Sequence, residues 1–266
     1  MSYRTLLVNL NIDGPVAALM DFAVNLAVRF NAHLIGFAAA EVEKILIDDK
    51  TIRREREQIE LQLKRLGREF EIAAGTSISR EWRSAVINPT RLLVDLSRTA
   101  DLIITGSDDG IDLGLPERCI SLGELVLQAG RPVLVATKGA KRIFTNTALI
   151  AWKDTREARR AVVDALPLLC QANEVVVVTV DPQPDVLTQE SMDDVLAFLR
   201  RHGVTARSQI IKDRHERESL LTFARSIGAE LIISGAYGHS KVRELIFGGV
   251  TRSLLADGTY SRFLVN

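Results

Sequence analysis

The sequence predicts an α/β fold made of two tandem domains, each built on a doubly wound, mostly parallel sheet. Three observations predict it: the order of segments repeats after about 130 residues, short β-rich runs alternate with helical stretches, and the apolar positions within those runs are continuous. Continuous apolar runs are typical of strands that are buried on both faces, as in parallel sheets. Strands that alternate with helices indicate βαβ units.

The internal repeat is clearest at the fourth predicted strand of each half. The segment ADLIITG at residues 100–106 returns as AELIISG at residues 229–235. Residues 133–135 return in the same way as residues 263–265. Self-similarity at a fixed spacing indicates a duplicated structural unit. We therefore expect a first domain over residues 1–140 and a second over residues 147–266.

Five strands are expected in each half, and the segment between the second and third strands is longer in the first half. The expected strands cover residues 5–10, 33–39, 81–86, 102–105 and 132–136 in the first half, and 148–152, 175–180, 206–211, 231–234 and 262–265 in the second. Helical spacing of apolar residues places Ile59, Leu63, Leu66 and Phe70 on one buried helix face. Asp154 lies three residues before Glu157, a capping-box spacing that predicts the start of a helix there.

Composition excludes several classes of partner. Lys plus Arg and Asp plus Glu both number 34, so the chain has no net basic field that would recruit nucleic acid. Cys119 and Cys170 have neither metal-site nor redox spacing, which favours reduced thiols in a cytoplasmic protein. The N-terminus lacks signal-peptide character, and no apolar run approaches the roughly 20 residues that cross a bilayer. We expect a cytoplasmic protein that binds neither nucleic acid nor membrane.

A glycine pattern in the second half indicates a phosphate-binding loop. Gly235 and Gly238 follow the buried run 231–234, and nine residues then separate Gly238 from Gly248. Glycines let backbone N–H groups approach an anion, and a helix that starts after such a loop directs its positive end toward it. Doubly wound sheets bind ligands at the carboxyl ends of their strands, where this loop is expected.

With these motifs the chain resembles the universal stress protein family, and specifically its tandem-domain members. The resemblance covers essentially the whole chain and implies Rossmann-like domains of the adenine nucleotide α-hydrolase type. It implies that ATP or another adenine nucleotide, with or without Mg²⁺, binds the second domain alone. Gly235, Gly238 and Gly248 match the family's loop, whereas Gly249 stands where Ser or Thr is usual and Thr251 offers a substitute hydroxyl. The expected contacts to nucleotide come from Gly235, Gly238, His239, Gly248, Gly249, Val250, Thr251, Lys153 and Asp154.

Two further departures from the family concern the ends of the first strands and the first loop. Nucleotide-binding members carry an Asp after the first strand, where this chain has Asn11 and Lys153. A lysine ammonium is donor-only, so Lys153 cannot accept a hydrogen bond from a ribose hydroxyl and pairs instead with a phosphate or with Asp154. The loop after Gly106 lacks the second part of the pattern, and its aspartates would repel a triphosphate unless a cation intervened.

No catalytic constellation is present, so the residues leave three functions open. The first is a non-catalytic stress-response protein that binds an adenine nucleotide, in which slow incidental hydrolysis would need no dedicated base. The second is a regulatory protein that has lost nucleotide binding, which Gly249 and Lys153 favour, and which acts through an unknown protein partner. The third is an enzyme of adenylyl chemistry, against which the missing catalytic set argues.

The resemblance also implies how the two halves associate. In this family the last strand of a single domain mediates dimerisation. Residues 132–136 and 262–265 are therefore expected to pair within one chain, as an intramolecular pseudo-dimer, and a homodimer of the whole chain stays open. Such pairing would hide two apolar strand edges.

Overall fold

The computed structural model describes residues 2–43, 48–107, 117–140, 146–236 and 258–266. The chain divides into two compact units, Ser2–Ile143 and Phe144–Asn266, which we call the first and the second domain. Within the part of the chain that the structure describes, no helix has both the length and the apolar character that a membrane span requires. The two cysteines are free thiols.

The first domain contains a parallel five-stranded sheet in the order β3-β2-β1-β4-β5. Helices follow the strands as crossover connections, as parallel pairing requires. The elements are β1 (Thr5–Asn9), α1 (Ala17–Phe30), β2 (His33–Ala40), α2 (Asp49–Ala74), β3 (Arg80–Val86), α3 (Pro89–Leu96), β4 (Leu102–Gly106), α4 (Leu122–Gln128) and β5 (Val133–Ala136).

The second domain repeats this topology with the order β8-β7-β6-β9-β10, again with parallel pairing throughout the described strands. Its elements are β6 (Thr147–Ala151), α5 (Arg156–Leu169), β7 (Glu174–Val180), α6 (Val186–Arg201), β8 (Ala206–Ile211), α7 (Glu216–Ser226), β9 (Leu231–Gly235) and β10 (Ser261–Val265).

The predicted α/β fold is confirmed, and each of the ten expected strands is present with its ends shifted by at most one residue. The longer segment of the first half is a longer helix, since α2 has 26 residues and its counterpart α6 has 16. The predicted N-cap of α5 was wrong by one residue. Thr155, rather than Asp154, is the N-cap, and its side chain accepts a hydrogen bond from the Ala158 N–H.

Strand order places a switch point in each sheet. In the first domain the chain moves outward from β1 to β3 and then returns to the other side of β1 with β4. The same reversal separates β6 from β9 in the second domain. Connections leave a parallel sheet in opposite directions at such a point, which opens a crevice at the carboxyl ends of the two strands.

The contact between α2 and the sheet of the first domain is closely fitted around Phe70. The Phe70 side chain is fully buried and its ring lies 5.5 Å from the Trp82 ring, centroid to centroid. A Cβ added to Gly36 of β2 would lie 2.6 Å from the Phe70 ring, so the absence of a side chain there makes room for the ring. Long-range packing therefore fixes where α2 lies on the sheet.

We predict that Phe70→Ala lowers the free energy of unfolding by about 3–5 kcal/mol, because it leaves a cavity where the ring packs. Ile72→Ala on the same helix is the matched control. Ile72 is 80% exposed, and a surface change of this kind costs less than about 0.5 kcal/mol. Urea denaturation followed by circular dichroism measures both values, and equal losses would contradict the packing described here.

Candidate functional site

The crevice of the second domain lies where β6 and β9 end side by side. Ala151, the last residue of β6, pairs with Ser234, and Gly235 is the last residue of β9. The connection from β6 to α5 begins at the same edge of the sheet. The glycine-rich segment of the sequence therefore leaves the sheet at its switch point, where doubly wound folds place their ligands.

Gly235 lies against the first turn of α5. A Cβ added at this position would be 2.6 Å from the backbone N of Ala158 and 2.8 Å from the carbonyl carbon of Glu157. Because both neighbours are backbone atoms, no side-chain rotation can relieve such a contact. The absence of a side chain at Gly235 thus brings the positive end of α5 close to the end of β9.

The residue after Gly235 is held in place by the last strand. The Ala236 N–H donates to the Val265 carbonyl at 2.7 Å, and the Asn266 side-chain amide donates to the Ala236 carbonyl at 3.0 Å. Arg160 of α5 in turn donates to the Asn266 carbonyl at 2.6 Å. The first residues of the loop are therefore fixed by β10 and by α5, whatever the path of the loop beyond them.

Most of the predicted loop residues lie outside the described part of the chain. These are Gly238, His239, Gly248, Gly249, Val250 and Thr251. The aspartates after Gly106 also lie outside it. Contact between these residues and a nucleotide stays a prediction from the sequence.

The structure brings Lys153 and Asp154 to the crevice edge but does not pair them with each other. The Lys153 ammonium lies 4.0 Å from a carboxylate oxygen of Glu216, at the start of α7. Asp154 instead accepts from Arg159 of α5, with 2.6 Å between Nη2 and Oδ1. Of the two partners expected for Lys153, Asp154 is therefore not the one observed, because it pairs with Arg159 instead; pairing of Lys153 with a phosphate stays a prediction.

The Lys153–Glu216 pair is weak, which leaves the ammonium available. Both side chains are about half exposed and 4.0 Å separates their charged atoms. Exposed pairs of this kind contribute roughly 0–1 kcal/mol, since solvent screens them. Lys153 can therefore turn toward an anion in the crevice at little cost.

Comparison with known proteins decides the family of this domain. Residues 145–259 match the model of the universal stress protein family. The second domain is a universal stress protein domain. No protein of curated function matches the chain in sequence.

Solved structures extend the likeness of fold to the whole chain. A universal stress protein from Archaeoglobus fulgidus is 15% identical, covers 98% of this chain and 96% of its own, and superposes with a TM-score of 0.74. A functionally unknown protein from Pseudomonas aeruginosa PAO1 is 14% identical, covers 99% and 92%, and has a TM-score of 0.60. At these identities the likeness establishes the fold of both domains and no ligand.

The first domain has the same fold as the universal stress protein domain but different chemistry beside its crevice. Arg118, which follows the loop after β4, makes two hydrogen bonds to Asp13, which follows β1; the distances are 2.6 and 3.0 Å. The same guanidinium donates to Gln62 of α2 at 2.9 Å and lies 3.9 Å from the carboxylate of Glu55. The Arg118 side chain is only 14% exposed.

This cluster, Asp13, Glu55, Gln62 and Arg118, is stabilised by charge-assisted hydrogen bonds. The hydrogen bond from Arg118 holds the pKa of the Asp13 carboxyl below its ordinary value of 3.8, although partial burial opposes the shift. The hydrogen bond to Asp13 correspondingly raises the pKa of Arg118. The arginine is thus already engaged, and the carboxylates around it disfavour a polyphosphate.

Sequence reasoning missed both the Arg118 cluster and the anchoring of Ala236. The cluster joins residues that are separated by 105 positions in the chain, so no local pattern indicates it. The Thr155 cap could have been found, because Thr is a preferred N-cap residue and stands directly before the predicted helix. The contact of Gly235 with α5 is indicated in the sequence only by the glycine itself.

We predict that Gly235→Ala lowers the stability of the second domain by about 1–3 kcal/mol, because its Cβ would force α5 away from β9. Gly14→Ala is the control. Its Cβ would meet only the Asn11 side chain at 3.4 Å, an ordinary contact, so its stability should change little or rise slightly. Thermal unfolding of the two variants measures the difference, and a neutral Gly235→Ala would show that α5 is not held by this contact.

The Asp13–Arg118 pair should contribute stability that depends on pH. Because the folded-state pKa of Asp13 is depressed, its contribution is fully present above the unfolded value near 3.8 and is lost as the pH falls through the lower folded value. We expect Asp13→Asn to lower the urea midpoint at pH 7, and the gap to wild type to close as the pH falls below about 4. A gap that is the same at pH 7 and pH 3 would rule the pair out as its cause.

Proposed function

We propose that the second domain binds ATP or a related adenine nucleotide and that the protein acts through this binding rather than through catalysis. The observation that carries the proposal is the position of Gly235. It ends β9 at the switch point of the sheet, and the Gly-x-x-Gly, nine residues, Gly pattern starts from it. Backbone N–H groups in such a loop suit phosphate oxygens.

Two further features of the described residues support an anion in this crevice. The first turn of α5 is brought close by Gly235, and the N-terminal end of a helix carries a partial positive charge. Lys153 adds a full charge beside it that its partner Glu216 holds only weakly. Phosphates are favoured by this combination of dipole and ammonium.

The charged residues beside the crevice of the first domain support nucleotide binding by the second domain alone. There the Arg118 guanidinium is bonded to Asp13 and Gln62, and Glu55 lies beside it. A triphosphate would have to displace these partners and approach uncompensated carboxylates, which is electrostatically unfavourable. We propose at most one nucleotide per chain.

A nucleotide-independent regulatory protein is the second candidate. Gly249 replaces the usual hydroxyl residue, and Lys153 stands where a ribose-binding Asp is expected. Lys153 also has a carboxylate partner of its own in Glu216. In that case the crevice would hold no nucleotide, and the protein would act through a partner protein.

Mass spectrometry of small molecules released from the purified protein by gentle denaturation separates the two candidates. We expect an adenine nucleotide in near-stoichiometric amount, or its uptake after incubation with ATP. A protein that neither carries nor takes up adenine nucleotide would exclude the first candidate and leave the second.

A pair of glycine variants tests which loop binds. Gly248→Val should abolish ATP binding in isothermal titration, because a branched side chain prevents the backbone from approaching a phosphate. Gly110→Val makes the same change in the loop of the first domain and should bind like wild type, with one site per chain. Circular dichroism checks that both variants are folded. Wild-type affinity in Gly248→Val, or a second site, would refute the assignment.

A further inference from the structure

A groove of about 370 Å³ lies between α5 and α6 of the second domain, outside the crevice described above. Its apolar lining comes from Trp152, Val162, Val163, Val195 and Phe198. Four polar residues complete the lining: Asp154, Arg159, Ser191 and Asp194. The volume is that of a site for a small molecule, and a mostly apolar lining with a few polar groups is typical of such sites.

The floor of the groove is buried and mostly apolar. Trp152, Val162 and Val195 are all buried. The indole N–H of Trp152 already donates to the Ser191 hydroxyl at 2.9 Å, so the tryptophan offers a ligand its ring surface and no unsatisfied donor. Val163, which is 40% exposed, stands at the open side. A hydrophobic body of the size of one aromatic ring suits this floor.

The charges that line the groove do not balance. Arg159 is engaged by Asp154, with 2.6 Å between Nη2 and Oδ1 and 2.8 Å between Nε and the same oxygen. Asp194 is exposed and has no hydrogen bond or ion pair to any residue in the described ranges. One uncompensated carboxylate therefore remains beside an apolar floor. That combination attracts a cation with an apolar body and repels an anion of the same shape.

We propose that this groove binds an amphipathic organic monocation, a small primary or quaternary amine that carries an aromatic or branched aliphatic body. The body packs on Trp152 and the two buried valines, and the ammonium lies at Asp194. Phe198 adds an aromatic face at the same side, which favours a cation through its ring quadrupole.

The proposed amine site can be tested separately from the proposed nucleotide site, with which it shares Asp154. Its lining residues come from the connection between β6 and α5, from α5 and from α6, and neither Gly235 nor Lys153 is among them. Asp154, at the edge of both, is already paired with Arg159. Amine binding should therefore be measurable with no nucleotide present, and its outcome does not depend on whether ATP binds.

Phenethylammonium, titrated into the full-length protein while tryptophan fluorescence is recorded, tests the proposal. The chain has two tryptophans, so the titration is done in Trp82→Phe, which keeps an aromatic ring beside Phe70 and leaves Trp152 as the reporter. We expect a saturable change with phenethylammonium and none with 3-phenylpropionate, the anion of matching shape. Equal responses to the two probes, or no saturable response to the cation, would overturn the proposal.

Two neighbouring aspartates provide a matched pair of variants. Asp194→Asn removes the unpaired charge in the groove and should weaken phenethylammonium binding about two- to fivefold, the range of an exposed ion pair. Asp193→Asn removes the same charge one residue away. The Asp193 carboxylate accepts a hydrogen bond from Gln189 and does not line the groove, so this variant should bind phenethylammonium as tightly as the protein that carries only Trp82→Phe. Equal weakening in both would assign the effect to general surface charge and refute a site at Asp194.

A third variant tests the location without relying on Asp194. Val163→Lys places an ammonium at the open side of the groove, on a residue exposed enough for the fold to tolerate the change. It should abolish the fluorescence response to phenethylammonium. Binding that persists unchanged in Val163→Lys would show that the cation lies elsewhere.

Discussion

The close approach of Gly235 to the first turn of α5 is the constraint on which the site of the second domain depends. Parallel pairing puts the ends of β6 and β9 side by side, and α5 begins directly after β6. Only a residue without a side chain lets β9 end against the Glu157–Ala158 backbone. One contact thus fixes three things together: the start of the glycine-rich loop, the positive end of a helix, and Lys153 beside them.

The two domains show how one fold can carry different chemistry at equivalent positions. Both sheets have the same strand order and the same switch point. In the first domain the mostly buried Arg118 donates hydrogen bonds to Asp13 and Gln62, so its positive charge is neutralised within the domain. In the second domain the corresponding edge carries an exposed lysine with a weakly held partner. Fold alone therefore does not decide what a crevice binds, and the two edges differ in their local charges.

The fold could be predicted from the sequence because its signals are local and repeated. Continuous apolar runs indicated the central strands, whereas β3 and β8 have mixed sequences and gave a weaker signal. The spacing of Ile59, Leu63, Leu66 and Phe70 indicated the buried face of α2, where all four are buried. Helix starts were less certain, because Asp154 and Thr155 both have side chains that cap, and only backbone geometry selects Thr155.

The candidate site could be predicted only in part. Its position followed from the glycine pattern and from the rule for switch points. The pairing of Lys153 did not, because Glu216 lies on a separate helix, far along the chain. The Asp154–Arg159 pair is local, with its members five positions apart in sequence, and was not predicted either. The Asp13–Arg118 pair and the groove between α5 and α6 arise as the Lys153–Glu216 pair does, from residues that are distant in the chain or on two helices. Long-range contacts of this kind leave no periodic signal.

We propose that the second domain binds an adenine nucleotide and that the first does not. The most direct measurement is a titration of the ¹⁵N-labelled protein with ATP, followed through its backbone amide resonances. We predict shifts at residues 151–154 and at Gly235 and Ala236, with Asn9, Asn11 and Asp13 unchanged. Shifts centred on the first domain, or no shifts in either domain, would contradict it.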